Sequence, residues 1–449
     1  MSSSPQPISV YVRWRPLAAT EAEAGEFEHA ESQPNGSLHT VSINPKPPNK
    51  EKPWSSSPAF KGVFGQEDDN ATIFNQIVAP VLPKVLQGAT CNYFAYGHSG
   101  SGKTHTIIGY DYEHEIQVGL SLAAARALFA ELEVHNANAN EEKLGIGLSV
   151  FELRKTAAFD LLNGRTQCHI RQGADGKTHV RGPTVTLEGG KVRVQPIVQR
   201  ACWTYDDLRR ELQESLGRRA VGSSSVHDQS SRTHAVLELE IVNSRLIDAR
   251  QALYDRQSEL VPVGKHADDV QVEEQTKSII ALEGGGYKPN PDYQISQARI
   301  DAAEADRAKF EARVKEAEEQ IESITRAETQ DTPRLGGRLV FVDLAGSEYQ
   351  NDSRSSQALL PKQTPQERQE GRQINTDLLA LKEVIRACAS GQERIPFRSS
   401  PLTMVLREHF LAGKGGTSTM IVTASSAQRQ YAATLNSLKY GSLVGVSNK

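Results

Sequence analysis

Eight residues, Gly97-His98-Ser99-Gly100-Ser101-Gly102-Lys103-Thr104, restrict this chain more than any other stretch. Gly-x4-Gly-Lys-Thr is the spacing of a phosphate-binding P-loop. The apolar run Asn92-Tyr93-Phe94-Ala95-Tyr96 before it reads as a buried strand, and the residues after it read as a helix start. That context matters, because backbone N–H groups gathered at a helix N-terminus hold phosphate oxygens. Gly97, Gly100 and Gly102 let the backbone curl close to phosphate with no Cβ in the way. Lys103 is then placed for the β- and γ-phosphates, and Thr104 offers a hydroxyl to Mg2+. A chance glycine-rich turn would not be expected to carry a strand before it and a helix after it.

The rest of the chain alternates strands and helices, which predicts an α/β body with a mixed central sheet flanked by helices. Strands are expected at Ile8 to Trp14, Leu144 to Leu153, Thr233 to Val242, Arg338 to Leu344 and Ser418 to Ala424. In the third, Leu237, Leu239 and Ile241 alternate with Glu238 and Glu240, predicting one buried and one solvated face. Helices are expected over Ala71 to Leu86, Gly119 to Val134, Thr204 to Leu216, Ile374 to Ala389, Leu402 to Phe410 and Tyr431 to Tyr440. Residues 20–58 read as loops around short edge strands.

Residues 244–335 stand apart. They hold 13 Lys/Arg and 19 Asp/Glu, a net −6 within a chain of −4, so the remainder is +2. Ile300, Ala303, Arg307, Phe310, Val314, Ala317, Ile321 and Ile324 fall at alternating spacings of three and four, a heptad seam with one charged break at Arg307. Leu246, Leu253 and Leu260 mark an earlier helical arm, and Gly284-Gly285-Gly286 with Pro289-Asn290-Pro291 separate the two. The pattern fits an acidic insertion shaped as an antiparallel helical hairpin, a single helix packed on the body, or a site for a protein partner. The domain expectation is therefore 1–243 with 336–443 as one body, 244–335 as the insertion, and 444–449 as the start of a neck.

Composition excludes several classes. With no excess of positive charge, nothing points to nucleic acid. No run approaches 18 apolar residues, so no membrane span is expected. Met1-Ser2-Ser3-Ser4-Pro5 lacks the basic and apolar regions of a signal peptide. Cys91, Cys168, Cys202 and Cys388 are far apart, as scattered reduced thiols would be.

Two further stretches suit sensing of a γ-phosphate: Ser230-Ser231-Arg232-Thr233-His234 before one strand, and Asp343-Leu344-Ala345-Gly346-Ser347-Glu348 after another. An acidic residue at a strand end can hold a water of the Mg2+ shell, and the glycine after it leaves a backbone N–H free to reach phosphate. In this order, with the P-loop, the three stretches resemble the nucleotide motifs of the kinesin motor domain. Arg13-Trp14-Arg15-Pro16-Leu17 resembles that family's adenine-side motif, and Glu370-Gly371-Arg372-Gln373-Ile374-Asn375 the start of its long switch helix. Pro396-Phe397-Arg398-Ser399-Ser400-Pro401-Leu402-Thr403 resembles its microtubule-facing loop, and Thr434-Leu435-Asn436-Ser437-Leu438-Lys439-Tyr440 its last helix. The resemblance covers roughly residues 8–443 outside the insertion.

What the resemblance implies is a microtubule-based motor ATPase, using ATP and Mg2+, that moves along or depolymerises microtubules in the cytoplasm. Gly97, His98, Ser99, Gly100, Ser101, Gly102, Lys103 and Thr104 would bind phosphate, with Arg15, Pro16 and His105 flanking the adenine. Thr104, Ser231 and, through water, Asp343 would hold Mg2+. Arg232 would pair with Glu348 as the switches close, Ser231 would join the attacking water, Gly346 would donate to the γ-phosphate and Asn375 would anchor the switch helix. Lys382, Arg386, Arg394, Arg398 and Arg407 are the candidates for the microtubule face. Departures from the family pattern are His227 for an asparagine, His98-Ser99 for Gln-Thr, Arg154-Lys155-Thr156 for an aromatic-Asn strand end, and Pro401 for a lysine. Residues 345–410 carry nine Lys/Arg against eight Asp/Glu, so charge alone does not select acidic tubulin. A nucleotide-dependent tether with weak hydrolysis is the alternative. Leu378 to Arg386 resembles the switch helix of microtubule-depolymerising kinesins, whereas the first switch, Arg219-Ala220-Val221-Gly222, resembles that of ordinary transporters.

Overall fold

The computed structural model describes residues 8–23, 25–31, 38–46, 52–110, 118–137, 142–173, 178–219, 232–282, 285–326, 333–347, 365–411 and 415–446. They fall into two compact units: Met1–Arg181, Ile197–Val242 and Gln330–Lys449 form a body, and Gly182–Pro196 with Asn243–Thr329 form the second.

The body is organised by one sheet. Among its twelve described strands, the central ones are β1 (Ile8–Arg15), β2 (Thr90–Tyr96), β3 (Leu144–Arg154), β4 (Ala157–Asp160), β5 (His234–Asn243), β6 (Arg338–Asp343) and β7 (Thr417–Ser425), lying in the order β4-β3-β5-β6-β2-β7-β1. β6, β2, β7 and β1 run parallel, and β5 is antiparallel to β6. The central strands are near-continuous apolar runs because both faces are covered. Side chains alternate strictly: Phe94, Tyr96, Val340 and Val342 join one core, Tyr93, Ala95, Leu339 and Phe341 the other. The first core packs helices α6 (Pro365–Ala389) and α7 (Tyr431–Val446) through Ile374, Leu378, Leu381, Leu435 and Leu438. The second packs α2 (Leu120–Asn136) and α3 (Tyr205–Gly217) through Leu128, Leu132, Leu208 and Leu212.

Three local expectations change. The helix expected over Ala71 to Leu86 is instead an α turn (Asn70–Ile73), a π segment (Phe74–Val78), a 3-10 turn (Ala79–Val81) and a second α turn (Leu82–Leu86). Pro80 and Pro83 lack the N–H that a regular helix needs and crowd the preceding turn. The apolar residues still face the core: Ile73, Ile77, Val78 and Val85 are buried. Second, the acidic face of β5 is not solvated. Glu240 is 1 % exposed and paired with Arg338 at 2.8 Å, and Glu238 lies 3.4 Å from His409. Buried carboxylates with partners mimic the polar half of an amphipathic strand. Third, α6 begins nine residues before Ile374, and α7 continues to Val446. The segment expected as one helix over Leu402 to Phe410 is two short ones, Pro401–Val405 and Arg407–Leu411.

In the second unit, α4 (Ser244–Lys277) and α5 (Gln297–Arg326) lie antiparallel, joined through a two-stranded hairpin, Ile279–Ala281 with Tyr287–Pro289. Arg299 bridges to Glu273 and Glu274 at 2.7 and 2.9 Å, and Arg313 to Glu259 at 2.8 Å, pairs whose numbers rise on one helix as they fall on the other. Ala303, Ala317 and Ile324 of the heptad seam are buried. Arg307, the charged break, reaches Asp268 at 3.2 Å.

Candidate nucleotide site

Parallel strands β2 and β6 are neighbours, so their C-terminal ends deliver Gly97 and Leu344 to the same edge of the sheet, where open α/β sheets place ligands. After β2 the chain turns through Gly97–Gly102 into helix α1 (Lys103–Ile107), as its spacing predicts. Gly100 and Gly102 hold φ of +75° and +100°, the left-handed region that favours glycine. A Cβ on Gly97 would sit 2.5 Å from the Thr423 carbonyl oxygen and 2.6 Å from Ser101 Oγ. The loop is cinched from both sides: Ser101 Oγ lies 2.6 Å from Thr423 Oγ1, and Ser347 N–H donates to the Gly97 carbonyl at 3.2 Å. Gly346 passes so close that a Cβ there would lie 2.7 Å from Ser99 N. The structure therefore brings together the P-loop residues and the Asp343–Ser347 stretch.

Their electrostatics are those of a site built for anions and a hard cation. Lys103 is buried and donates to the His98 carbonyl at 2.8 Å. Burial pushes its ammonium down to about 8, against the pull of the Asp343 carboxylate. Thr104 Oγ1 donates to Asp343 Oδ2 at 2.9 Å, so two residues expected to serve one cation already touch. Asp343 Oδ1 is buried without a hydrogen-bond partner among the described residues. Hydroxyl and carboxylate oxygens side by side, one of them unsatisfied, fit Mg2+.

The same carboxylate has a partner that sequence reasoning missed. Arg219, 6 % exposed in its side chain, places Nη1 2.8 Å from Asp343 Oδ2 and donates through Nη2 to the Thr233 carbonyl at 3.0 Å. The available signal was an arginine just past the end of α3. His234 closes the stretch 230–234, and the structure gives it a role that the sequence did not. Its Nδ1 accepts the Ala345 N–H at 3.0 Å, which puts the ring proton on Nε2, and burial holds its pKa down to about 3. The ring stays neutral and ties β5 to the stretch after β6.

Other expected residues lie around this centre. His98, also neutral because burial lowers it to about 4, sits 2.8 Å from the Ser99 carbonyl through Nδ1 and 3.0 Å from Thr434 Oγ1 of α7 through Nε2. Arg15 is engaged by Glu21 at 2.6 Å and Gln430 at 2.9 Å, with Pro16 exposed beside it. His105 packs near the Tyr110 ring, centroids 5.4 Å apart. Arg232 lies 4.0 Å from Glu370 of α6. Ser231, Glu348 and His227 lie outside the described residues. On the expected microtubule face, Arg394 is exposed and Arg386 pairs with Glu383 at 3.1 Å. Arg398 donates to Gln172 at 2.5 Å. Lys382 and Arg407 lie over the Tyr440 and Phe397 rings.

The sequence pattern of the kinesin motor domain matches residues 13–264 and 313–445. The chain belongs to the kinesin motor domain family. Among its relatives, this kinesin-family chain is 27% identical to the kinesin-like protein KIN-13B of Arabidopsis thaliana over 97% of its own length and 47% of that protein's. It is 26% identical to KIN-13A of Oryza sativa subsp. japonica, over 97% of this chain and 41% of the relative, and 25% identical to mouse kinesin-like protein KIF24 over 86% and 20%. The chain thus spans less than half the length of these relatives. Solved kinesin motors share its fold at 19% identity. One, a kinesin motor ATPase studied through mutants that reveal a signalling pathway for its activation, aligns over 99% of this chain and 100% of its own with a TM-score of 0.58. The motor domain of a Kar3-like kinesin from Ashbya gossypii aligns over 98% and 99% with a TM-score of 0.57.

Proposed function

We propose that this chain is an ATP-hydrolysing microtubule motor domain whose turnover is stimulated by microtubules. The observation that carries the reading is the Thr104–Asp343 contact between the P-loop helix and the end of β6, with Gly346 against Ser99 beside it. Membership of the kinesin motor domain family supports it.

Gly97 to Gly102 present backbone N–H groups to the phosphates, and Lys103 adds a fixed positive charge that compensates those transferred out of water. Thr104 and Ser231 would hold Mg2+ directly, and Asp343 through water; the cation, when bound, neutralises charge on the β- and γ-phosphate oxygens. Gly346 N–H is positioned by its approach to Ser99 to answer the γ-phosphate, and Arg232 with Glu348 would close over the attacking water. Arg15, Pro16 and His105 would border the adenine. Catalysis is then mostly placement and electrostatic stabilisation of the phosphoryl group. Loss of the γ-phosphate would release the stretch after Asp343 and, through it, α6 around Asn375. Lys382 and Arg386 of α6, with Arg394, Arg398 and Arg407 from the segments after it, would meet the microtubule, in the cytoplasm, and movement or depolymerisation would follow from that coupling. The acidic insertion, residues 244–335, would be left for a protein partner.

Several of those cations are already engaged within the chain, and this favours one second reading: a nucleotide-dependent tether with weak hydrolysis. Steady-state ATPase with and without polymerised microtubules, beside Arg232→Ala, separates the two. Stimulation lost in the variant supports the motor. Binding in the presence of an ATP analogue with flat turnover supports the tether, and neither binding nor turnover refutes both.

A further inference from the structure

Arg13 is a cation on β1, and only 5 % of it is exposed. Its Nη1 donates to Asn70 Oδ1 at 2.5 Å and to Thr106 Oγ1 at 2.7 Å, two neutral groups that are themselves buried. Burial pulls the guanidinium down to about 10, against the Asp69 and Asp68 carboxylates, so it keeps its charge near neutral pH. Asp69 caps the turn Asn70–Ile73 by accepting the Thr72 N–H at 2.7 Å, which sets Asn70 at the first position of that turn. With Oδ1 given to Arg13, Asn70 turns Nδ2 to two carbonyls, His105 at 3.0 Å and Val118 at 3.1 Å. The Thr106 hydroxyl accepts from Arg13 and donates to the Gly102 carbonyl at 2.9 Å. That carbonyl also takes the Thr106 N–H at 2.9 Å.

We propose that Arg13 and Asn70 are positioning residues for the phosphate loop, acting through the Thr106 hydroxyl and the His105 carbonyl. The inference rests on the nucleotide site of the ATPase reading. Gly102 and Lys103 share one planar trans peptide, in which C=O and N–H point opposite ways. Fixing the Gly102 carbonyl on Thr106 therefore aims the Lys103 N–H away from the body of α1, toward the turn that would hold the phosphates. A glycine at φ +100° has few steric restraints of its own, so this peptide relies on its bonds for direction. The same Asn70 amide fixes His105, whose ring would border the adenine. A cation buried on neutral partners is a costly way to hold a fold together. What Arg13 and Asn70 supply is direction, at Gly102 and at His105.

Thr106 separates placement from packing. Thr106→Val keeps the shape and removes the hydroxyl, whereas Thr106→Ser keeps the hydroxyl and drops a methyl. Calorimetric titration with Mg-ADP, well below the unfolding temperature, should show binding about tenfold weaker in Thr106→Val and within about twofold of wild type in Thr106→Ser. Arg13→Met weakens binding by a similar factor, and adding Thr106→Val to it costs nothing more, because both break one contact. Simple addition of the two losses overturns the proposal. So does a lowered unfolding midpoint with unchanged affinity in Thr106→Val, the mark of a network that only stabilises the fold. Binding as weak in Thr106→Ser as in Thr106→Val overturns it too, since the methyl would then be what matters. If Arg13→Met does not fold, the two Thr106 variants decide by themselves. A wild type that binds Mg-ADP and follows the expected pattern, yet hydrolyses no ATP with or without microtubules, refutes the ATPase reading and leaves the placement standing. A wild type that binds no nucleotide overturns both.

Discussion

Asp377 makes a stringent test of the electrostatics inside the body. It sits on α6 with 3 % of its surface exposed, accepts from Gln373 Nε2 at 3.1 Å and is bonded by the Ser400 hydroxyl. Those donors favour the charged carboxylate, but burial outweighs them and pushes its pKa up from 3.8 to about 6. A raised acid binds protons more tightly in the folded chain than in the unfolded one. Stability therefore falls as pH rises from 3.8 through 6 and is lowest above that window. The displacement corresponds to about 3 kcal/mol at pH 7.5 and roughly half that at pH 5. Asp377→Asn keeps the shape and an acceptor for Gln373 while removing the charge. It should be more stable than wild type by about 1–3 kcal/mol at pH 7.5, the upper figure applying if nothing nearby relaxes, with the gap about halved at pH 5. Urea-unfolding midpoints of both chains at the two pH values provide the measurement. A gap independent of pH, or an asparagine variant weaker at pH 7.5, would show that burial does not dominate at Asp377.

Arg219→Ala should destabilise the body by about 3 kcal/mol, because it leaves a buried carboxylate at Asp343 without its guanidinium. Combining it with Asp343→Asn should recover most of that loss, and a urea-unfolding cycle that is simply additive would contradict the pairing. Replacing residues 244–334 by a short glycine–asparagine turn should leave a chain that still folds and binds ADP, since Gly336 N–H already donates to the Ile241 carbonyl and Glu240 faces Arg338. Circular dichroism and calorimetric ADP titration would read this directly; loss of both would mean that the body depends on the second unit.

What could be read from the sequence was what is local. The P-loop is legible because glycines, lysine and threonine at fixed offsets do their work on a few consecutive backbone groups. Asp343 is legible because it ends an apolar strand. Arg219 escapes because its value lies in a carboxylate 124 positions away, and no spacing encodes that. Glu240 misleads for the same reason: alternation with Leu239 and Ile241 reads as a wet face until Arg338 arrives from another strand. Pro80 and Pro83 were visible, yet apolar periodicity alone outvoted them over Ala71 to Leu86. The pattern located the buried side correctly and misjudged the backbone, because periodicity reports where side chains face and not which hydrogen bonds carry them there.

The register of β5 and β6 also bears on how the chain acquires its fold. These neighbouring strands are hydrogen-bonded, yet the stretch between Asn243 and Arg338 separates them in sequence. Searching for such a pairing through a floppy loop is slow, because contacts distant along the chain must wait for the loop to close. Helices α4 and α5 are joined by one short hairpin and bridged beside it by Arg299 and Glu274, so their pairing can start there and run outward. Antiparallel arms leave Ser244 and Arg326 at the same end of their own unit, which shortens the loop that the pairing has to close. An insertion of this length therefore need not slow the meeting of β5 and β6 in proportion to its residue count.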